Sequence, residues 1–152
     1  SDLLYKNYFT DHNLIFKYSG LFSLQVFIPI KIFHPMIVKL LTMAQETKNE
    51  SYLSNIKFLL KRNDFIYDLK EHVAFEMYFI RNKKNNNQDL FIKKILDLII
   101  ENKCQLNIAK DNLMNMNYCE KIFPKVKQFR KIKDNLDKNS FFSSSYFERV
   151  IK

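Results

Sequence analysis

Apolar residues recur at three- and four-residue steps along much of this chain, and such spacing predicts α-helices. The strongest example is the stretch 64–81, DFIYDLKEHVAFEMYFIR, in which Ile66, Val73 and Ile80 belong to one series. Beyond Val73 the opposite side is apolar as well, which indicates that neighbours cover the helix on several sides. We therefore predict that 64–81 is the central helix of an all-α domain.

Further helices are expected on both sides of this stretch. The same spacing occurs in 36–45, 48–61, 89–102 and 118–135, and a last short helix is expected within 141–151. Pro35 opens the first of them at a position that proline prefers, and Pro124 can kink the helix that contains it. The polar run 82–88, NKKNNNQ, is expected to be a loop because it has no apolar side chain to bury.

The N-terminal segment 1–33 gives no clear pattern. Residues 1–18 could hold one short helix. In 21–33, Leu21, Leu24 and Ile28 fit a helix that ends before Pro29. Alternate isoleucines from Ile28 onward fit a strand instead. We favour a helix followed by an extended connection.

Together these elements predict an all-α fold in a single domain that spans 1–152. Five to eight helices could form an irregular bundle or a short α-solenoid, a helical repeat of HEAT- or armadillo-like pairs. No fixed-period sequence repeat favours the solenoid. The scarcity of glycine supports the helical class, since one Gly and three Pro leave few residues for hairpin turns or left-handed caps.

Lysine dominates the charged residues. The formal net charge is +9, and Lys outnumbers Arg by 21 to 4. Residues 77–152 contain sixteen basic and eight acidic groups, whereas 1–76 contain nine and eight, so nearly all of the excess lies in the second half. Abundant Asn and Ile and the lack of Trp are typical of an AT-rich genome, so codon bias can account for part of the charge.

Motifs of catalysis and cofactor binding are missing from the sequence. Gly20 is the only glycine, which excludes a P-loop, a G-x-G-x-x-G turn and a G-x-S-x-G turn. Cys104 and Cys119 have no histidine at metal-ligand spacing, so we expect reduced thiols and no metal site. His72 and Glu76, one helical turn apart, could form a general base with its orienting partner, but we favour a structural pair. The sequence thus predicts a non-catalytic protein without a cofactor.

Two candidate partner-binding surfaces lie in the basic second half. The first is the polar side of helix 118–135 with its flanks, formed by Lys121, Lys125, Lys127, Arg130, Lys131 and Lys138. It could bind RNA, an acidic protein or anionic lipid, although a solvated lysine-rich face is the simpler interpretation. The second is an aromatic cluster formed by Phe141, Phe142, Tyr146 and Phe147. It could anchor a partner or stack bases, or it could dock a last helix on the domain.

The function expected from these features is protein–protein interaction or scaffolding. RNA binding, or a role in a ribonucleoprotein, through the basic half is the alternative. The most apolar run, 21–33, is too short to span a bilayer and contains Pro29 and Lys31. We therefore expect a soluble intracellular protein, either cytoplasmic or organellar. The identity of the partner and the oligomeric state stay open.

Overall fold

The structure is a computed structural model that describes residues 20–59, 62–63, 68–69, 71–81, 86–110 and 113–151. Its strands are β1 (Leu21–Pro29), β2 (Leu53–Phe58), β3 (Arg62–Asn63), β4 (Asp68–Leu69), β5 (His72–Ile80) and β6 (Gln105–Leu106). Four of them form an antiparallel sheet in the order β2-β5-β1-β6, and β3 pairs with β4 in a separate two-stranded sheet. The two central strands, β1 and β5, are also the longest.

Five helices accompany the sheet within the described residues. They are α1 (Phe33–Glu46), α2 (Asn86–Glu101), α3 (Met116–Ile122), α4 (Val126–Leu136) and α5 (Ser145–Val150). Short 3-10 turns precede α1 at Ile30–Ile32 and follow β6 at Ile108–Lys110. None of the helices in this part of the chain is long and apolar enough to cross a membrane.

The main hydrophobic core lies between the helices and one face of the sheet. On that face β1 contributes Phe22, Leu24, Val26 and Ile28, and β5 contributes Phe75, Met77 and Phe79. The rings of Phe22 and Phe79 stack with their centroids 5.1 Å apart, and Phe91 of α2 meets Phe79 edge-on at 5.2 Å. Because strand side chains alternate between faces, the intervening residues of β1 and β5 lie on the opposite side of the sheet.

The prediction of an all-α fold is wrong, and with it the prediction of a helical repeat. The stretch 64–81, expected to be the central helix, contains β5. Every residue from Val73 to Met77 is buried, because both faces of this strand are covered. A strand of this kind reads as a nearly continuous apolar run without alternation, and such a run also fits helical spacing.

The expectations for 21–33 and 48–61 are also wrong. Residues 21–29 form β1 rather than a helix. The alternating isoleucines suggested an extended chain beyond Ile28, but Ile30–Ile32 form a 3-10 turn and α1 begins at Phe33. Residues 53–58 form β2, an edge strand of the sheet, and not part of a helix. The side chains of Leu53 and Ile56 are 41% and 50% exposed.

The remaining helices agree with the sequence more closely. The helix predicted at 36–45 is confirmed within α1, and that at 89–102 is confirmed by α2. The stretch 118–135 forms two helices instead of one, because the chain leaves the helical conformation around Pro124. The last helix is confirmed but short, and residues 86–88 of the expected loop begin α2. The helix suggested within 1–18 and the loop residues 82–85 lie outside the described residues.

Candidate functional site

A row of four polar side chains crosses the sheet on the face opposite the helices. Asn55 of β2, Glu76 of β5 and Gln25 of β1 are directly paired across the strands, and Asn107 continues the row beyond β6. We call these four residues the polar row. The amide of Asn55 donates to Glu76 at 3.1 Å, that of Gln25 donates to the same carboxylate oxygen at 3.1 Å, and the amide of Asn107 donates to Gln25.

The carboxylate of Glu76 is the centre of this arrangement, and its side chain is 0% exposed. Besides the two amides on Oε2, its Oε1 accepts from the hydroxyl of Tyr78 at 2.7 Å and from the ammonium of Lys110. The ammonium of Lys57 lies 3.7 Å from Oε2. A buried carboxylate is tolerated when it is paired and hydrogen-bonded, and Glu76 meets both conditions.

Lys110 reaches this carboxylate because the chain after β6 folds back along the edge of β1. The backbone N–H of Asn107 donates to the carbonyl of Gln25 at 2.9 Å, which extends the β1–β6 pairing by one residue. The 3-10 turn that follows is held by the hydroxyl of Ser23, which donates to the carbonyl of Lys110 at 3.4 Å. About one-third of the Lys110 side chain, 34%, stays exposed.

The protonation states in this network are fixed at neutral pH. Burial by itself raises the pKa of Glu76, but the hydrogen bonds from Lys110, Tyr78 and Asn55 outweigh it and the pKa lies below its ordinary value. The hydrogen bond to Glu76 raises the pKa of Lys110, and burial together with the same carboxylate raises the pKa of Tyr78. All three pKa values are therefore displaced away from neutrality, which does not suit general acid–base catalysis. The network instead holds a charged pair in one position.

The proposed pairing of His72 with Glu76 depended on a helix and is wrong in the strand. Four residues along a strand span about 13 Å, so the two side chains lie at separate positions of β5. Glu76 belongs to the polar row, whereas His72 lies at the start of the strand, opposite Pro29.

The predicted basic face is divided between internal contacts and solvent. Arg130 donates to Glu120 at 2.5 Å and to the backbone carbonyl of Ile151, so it holds α4 against α3 and the end of α5. Lys127 lies 3.6 Å from the same Glu120 carboxylate. Lys121, Lys131 and Lys138 are exposed, and Lys125 is half-buried. Arg130 therefore has a structural role, because its guanidinium group joins α4 to α3 and to the C-terminal end of α5.

The predicted aromatic cluster also separates into two parts. Tyr146 and Phe147 of α5 are half-buried against the hydrophobic core, and the ammonium of Lys133 lies 4.6 Å from the centre of the Phe147 ring. Phe141 and Phe142 precede the helix and are 81% and 79% exposed. Leu136, the last residue of α4, is 83% exposed.

The turn that carries these two phenylalanines is held by Asp137. Its carboxylate accepts from the backbone N–H of Phe141 at 2.8 Å and from that of Phe142 at 3.0 Å. The ammonium of Lys133 donates to the same carboxylate at 2.7 Å, and this hydrogen bond helps to lower the pKa of Asp137. We call Leu136, Phe141 and Phe142 the exposed apolar turn.

Neither cysteine forms a disulfide, and both are buried. Burial raises the pKa of the Cys104 thiol to about 12. Within the described residues, no group of three or more His, Cys, Asp or Glu side chains lies close enough together to hold a metal ion.

The sequence singled out the phenylalanines and Glu76, but not the polar row to which Glu76 belongs. Its four members come from segments separated by at least twenty residues, and only the pairing of the strands brings them together. The one usable signal was the alternation of Ser23 and Gln25 with apolar neighbours, which predicts a strand with one polar face.

Comparison with the models of known protein families and with curated protein sequences finds no match to this chain.

Proposed function

We propose that this chain is a non-catalytic protein-binding domain that docks on a partner through the exposed apolar turn. The observation that carries the proposal is the exposure of two consecutive phenylalanines, 81% for Phe141 and 79% for Phe142. A single exposed apolar residue on a protein surface is ordinary, but neighbouring large ones indicate an interaction site. Aromatic side chains that become buried on binding supply much of the energy of an interface.

The hydrogen bonds of Asp137 support this proposal because they hold the backbone of both phenylalanines. The backbone N–H of Ser140 also donates to the carbonyl of Asp137, at 2.9 Å. A turn that is already ordered loses less conformational entropy when it binds than a flexible segment would. The backbone that carries the two rings is therefore ordered before a partner binds.

The charge of the surrounding chain indicates the chemistry of that partner. Lys131 and Lys138 are exposed near the turn in sequence, and residues 77–152 carry a net charge of +8, sixteen basic minus eight acidic groups. The proposed partner surface is an apolar cavity with acidic residues at its rim. Electrostatic attraction of this kind speeds association and weakens as salt rises.

A site-specific photo-crosslinker tests the proposal. Placed at Phe142 it should capture one polypeptide reproducibly, and placed at Leu90, an exposed leucine of α2, it should not. With that polypeptide purified, Phe142→Ser should weaken binding about 30-fold, since removal of an aromatic anchor costs about 2 kcal/mol. The matched variant Leu90→Ser should bind as tightly as the wild type. Equal crosslinking from both positions, or unchanged binding by Phe142→Ser, contradicts the proposal.

RNA binding through the basic half is the alternative, and the exposed side chains of Lys121, Lys131 and Lys138 support it. Arg130 is unsuited to this role because Glu120 and Ile151 engage it. Nucleic acid that copurifies and is removed by salt would favour this alternative. Retention of that nucleic acid by Phe142→Ser, together with its loss in Lys131→Glu, would establish that the basic face acts without the turn.

A further inference from the structure

The ammonium group of Lys133 lies where the end of α4, the exposed apolar turn and α5 meet. It donates to the carboxylate of Asp137 at 2.7 Å, and it lies 4.6 Å from the centre of the Phe147 ring. A cation within about 6 Å of an aromatic ring is attracted to the face of that ring. One group from α4 thus contacts both the residue that holds the turn and a half-buried residue of α5.

The ion pair between Lys133 and Asp137 is enclosed by the protein. The exposed fraction of the side chain is 14% for Lys133 and 8% for Asp137. Ion pairs in open solvent contribute little, because water and salt screen the two charges. Screening is weaker for an enclosed pair, so Lys133 can hold the Asp137 carboxylate in one orientation. That orientation matters because the two carboxylate oxygens accept from the backbone N–H groups of Phe141 and Phe142.

A carboxylate at position 137 opposes the dipole of α4. Asp137 directly follows Leu136, the last residue of the helix, where a negative charge is disfavoured. The turn that this carboxylate holds is itself strained, because Ser140 has a φ of +53° in the left-handed region that residues other than glycine rarely adopt. The hydrogen bonds of Asp137 therefore offset the strain of the turn, and Lys133 offsets the unfavourable position of Asp137.

The contacts of α5 fix the other side of the ammonium group. Arg149 donates to the backbone carbonyl of Met114 at 2.7 Å, and Val150 is 0% exposed in the hydrophobic core. Both belong to the same six-residue helix as Phe147, so they determine where its ring lies. The seating of α5 on the domain therefore determines whether Lys133 keeps its contact with the ring.

We infer that Lys133 is a positioning residue for the exposed apolar turn, and that it couples the order of this turn to the seating of α5. The inference rests on the proposed function, since it concerns how the same turn is kept ready for a partner. Coupling between two sites is reciprocal, so a partner that fixes the turn also stabilises the seating of α5. Without Lys133 the two phenylalanines stay exposed, but their backbone is no longer held in one conformation.

Amide exchange with water, measured by NMR on the chain without a partner, tests this coupling. Lys133→Met removes the ammonium group and keeps the aliphatic chain, so the N–H groups of Phe141 and Phe142 should exchange roughly tenfold faster or more. Lys133→Arg should restore slow exchange, because a guanidinium group also pairs with a carboxylate and stacks on an aromatic ring. The control Lys94→Met, at an exposed position of α2, should exchange as the wild type does.

The amide of Asn107 separates positioning from general stability. Its N–H donates to the carbonyl of Gln25 in β1, far along the chain from the turn. It should exchange at the same rate in the wild type and in Lys133→Met. Exchange that accelerates by the same factor at Asn107 and in the turn would assign Lys133 a general structural role and overturn the inference. Unchanged exchange of the turn amides would overturn it as well.

The pKa of Asp137 gives a second, spectroscopic readout. The hydrogen bond from Lys133 is the main cause that lowers this pKa from its ordinary 3.8. NMR of the carboxyl carbon should therefore show a higher pKa in Lys133→Met than in the wild type, and a lowered pKa again in Lys133→Arg. Equal pKa values of Asp137 in the wild type and in Lys133→Met would show that Lys133 does not hold this carboxylate.

Phe147→Leu tests the contribution of α5. Leucine keeps an apolar side chain in the core but offers no ring to the ammonium group, so the amides of Phe141 and Phe142 should exchange roughly threefold faster. Turn amides that exchange at the wild-type rate in this variant exclude the coupling to α5.

Binding to the polypeptide captured at Phe142 completes the test. Lys133→Met should weaken this binding roughly tenfold, because a turn that is not held must be ordered on binding. Wild-type affinity in Lys133→Met overturns the inference even where Phe142→Ser weakens binding and so supports the proposed function. Exchange rates that change as expected, with no polypeptide captured, support the positioning role and contradict the proposed function alone.

Discussion

Replacement of Glu76 by glutamine should be among the most destabilising single-atom changes available in this protein. The carboxylate has two oxygens, and each accepts from two side chains: Oε1 from Tyr78 and Lys110, Oε2 from Gln25 and Asn55. Glutamine supplies one oxygen and one NH₂ group. Whichever way its amide turns, two donors lose their acceptor and face another donor.

The size of this effect follows from the burial of the group. Hydrogen bonds to a charged partner contribute roughly 1.5–3 kcal/mol each, and disruption of a buried charge pair costs about 3–5 kcal/mol. With the side chain 0% exposed, we expect Glu76→Gln to lower the free energy of unfolding by about 3–5 kcal/mol. Lys110→Met should cost less, about 1–2 kcal/mol, because its ammonium is partly exposed and screened by solvent.

Urea denaturation followed by far-ultraviolet circular dichroism measures these differences, and their pH dependence identifies the group. The pKa of Glu76 is lowered in the folded state from an ordinary 4.5, so its contribution to stability is present above pH 4.5. That contribution is lost as the pH falls through the lower folded pKa. The stability gap between wild type and Glu76→Gln should therefore be full at pH 7 and should narrow below 4.5.

Glu46→Gln is the matched control, because Glu46 is an exposed glutamate at the end of α1. Its effect should stay within about 0.5 kcal/mol, as for most surface substitutions. A loss of less than about 1 kcal/mol in Glu76→Gln, or a gap that does not change with pH, would refute the reasoning about the buried carboxylate.

Three further predictions concern the core, a helix end and a thiol. Phe79→Ala should destabilise the protein by about 3–5 kcal/mol in the same urea assay, since its ring packs between Phe22 and Phe91; a loss below about 1 kcal/mol would contradict that packing. Lys48→Gly should stabilise it by up to about 1 kcal/mol, because Lys48 has a φ of +55° that glycine adopts without strain; destabilisation would show that the lysine side chain matters more. Cys104, with a pKa raised to about 12 by burial, should react with a thiol reagent at pH 8 only after unfolding; rapid reaction of the native protein would exclude this burial.

The sequence predicted the amphipathic helices well because each has one apolar side and one polar side. In α2, Phe91, Ile95 and Ile99 are buried while Lys94 is exposed, and this is the spacing that the sequence presents. The predicted end of this helix at 102 lies within one residue of the observed end at Glu101, because the apolar spacing stops there. Where a single face is buried, the local pattern carries enough information to identify the element.

The central strands were mispredicted for two different physical reasons. In β5 both faces are buried, so Ala74 and Phe75 are alike in hydrophobicity and no alternation remains to be read. In β1 the alternation is present, since Phe22 and Leu24 face the helices while Ser23 and Gln25 do not. The helical interpretation of β1 relied on Leu21, Leu24 and Ile28 and did not account for Ser23 and Gln25 between them.

The scarcity of glycine wrongly favoured an all-α fold for a third reason. In this chain, residues other than glycine adopt the left-handed backbone conformation at turns. At the end of α1, Lys48 has a φ of +55°, and at the end of α2, Lys103 has a φ of +53°. The N–H of the residue after each lysine donates to a carbonyl five residues back: Asn49 to Ala44 at 2.8 Å and Cys104 to Ile99 at 2.9 Å. These are Schellman caps built with lysine. A low glycine count therefore does not exclude turns in a chain that accepts this strain.

The polar row and the exposed apolar residues have opposite consequences for function. The carboxylate of Glu76, at the centre of the row, accepts from side chains of Gln25, Asn55, Tyr78 and Lys110 of the same chain, so it needs no partner molecule to be satisfied. A one-residue slip of any strand would move its polar side chain into the helix-covered core, so the row pins the register of the sheet. Phe141 and Phe142, in contrast, are 81% and 79% exposed. The free energy that burial of their rings would supply is therefore left for a partner.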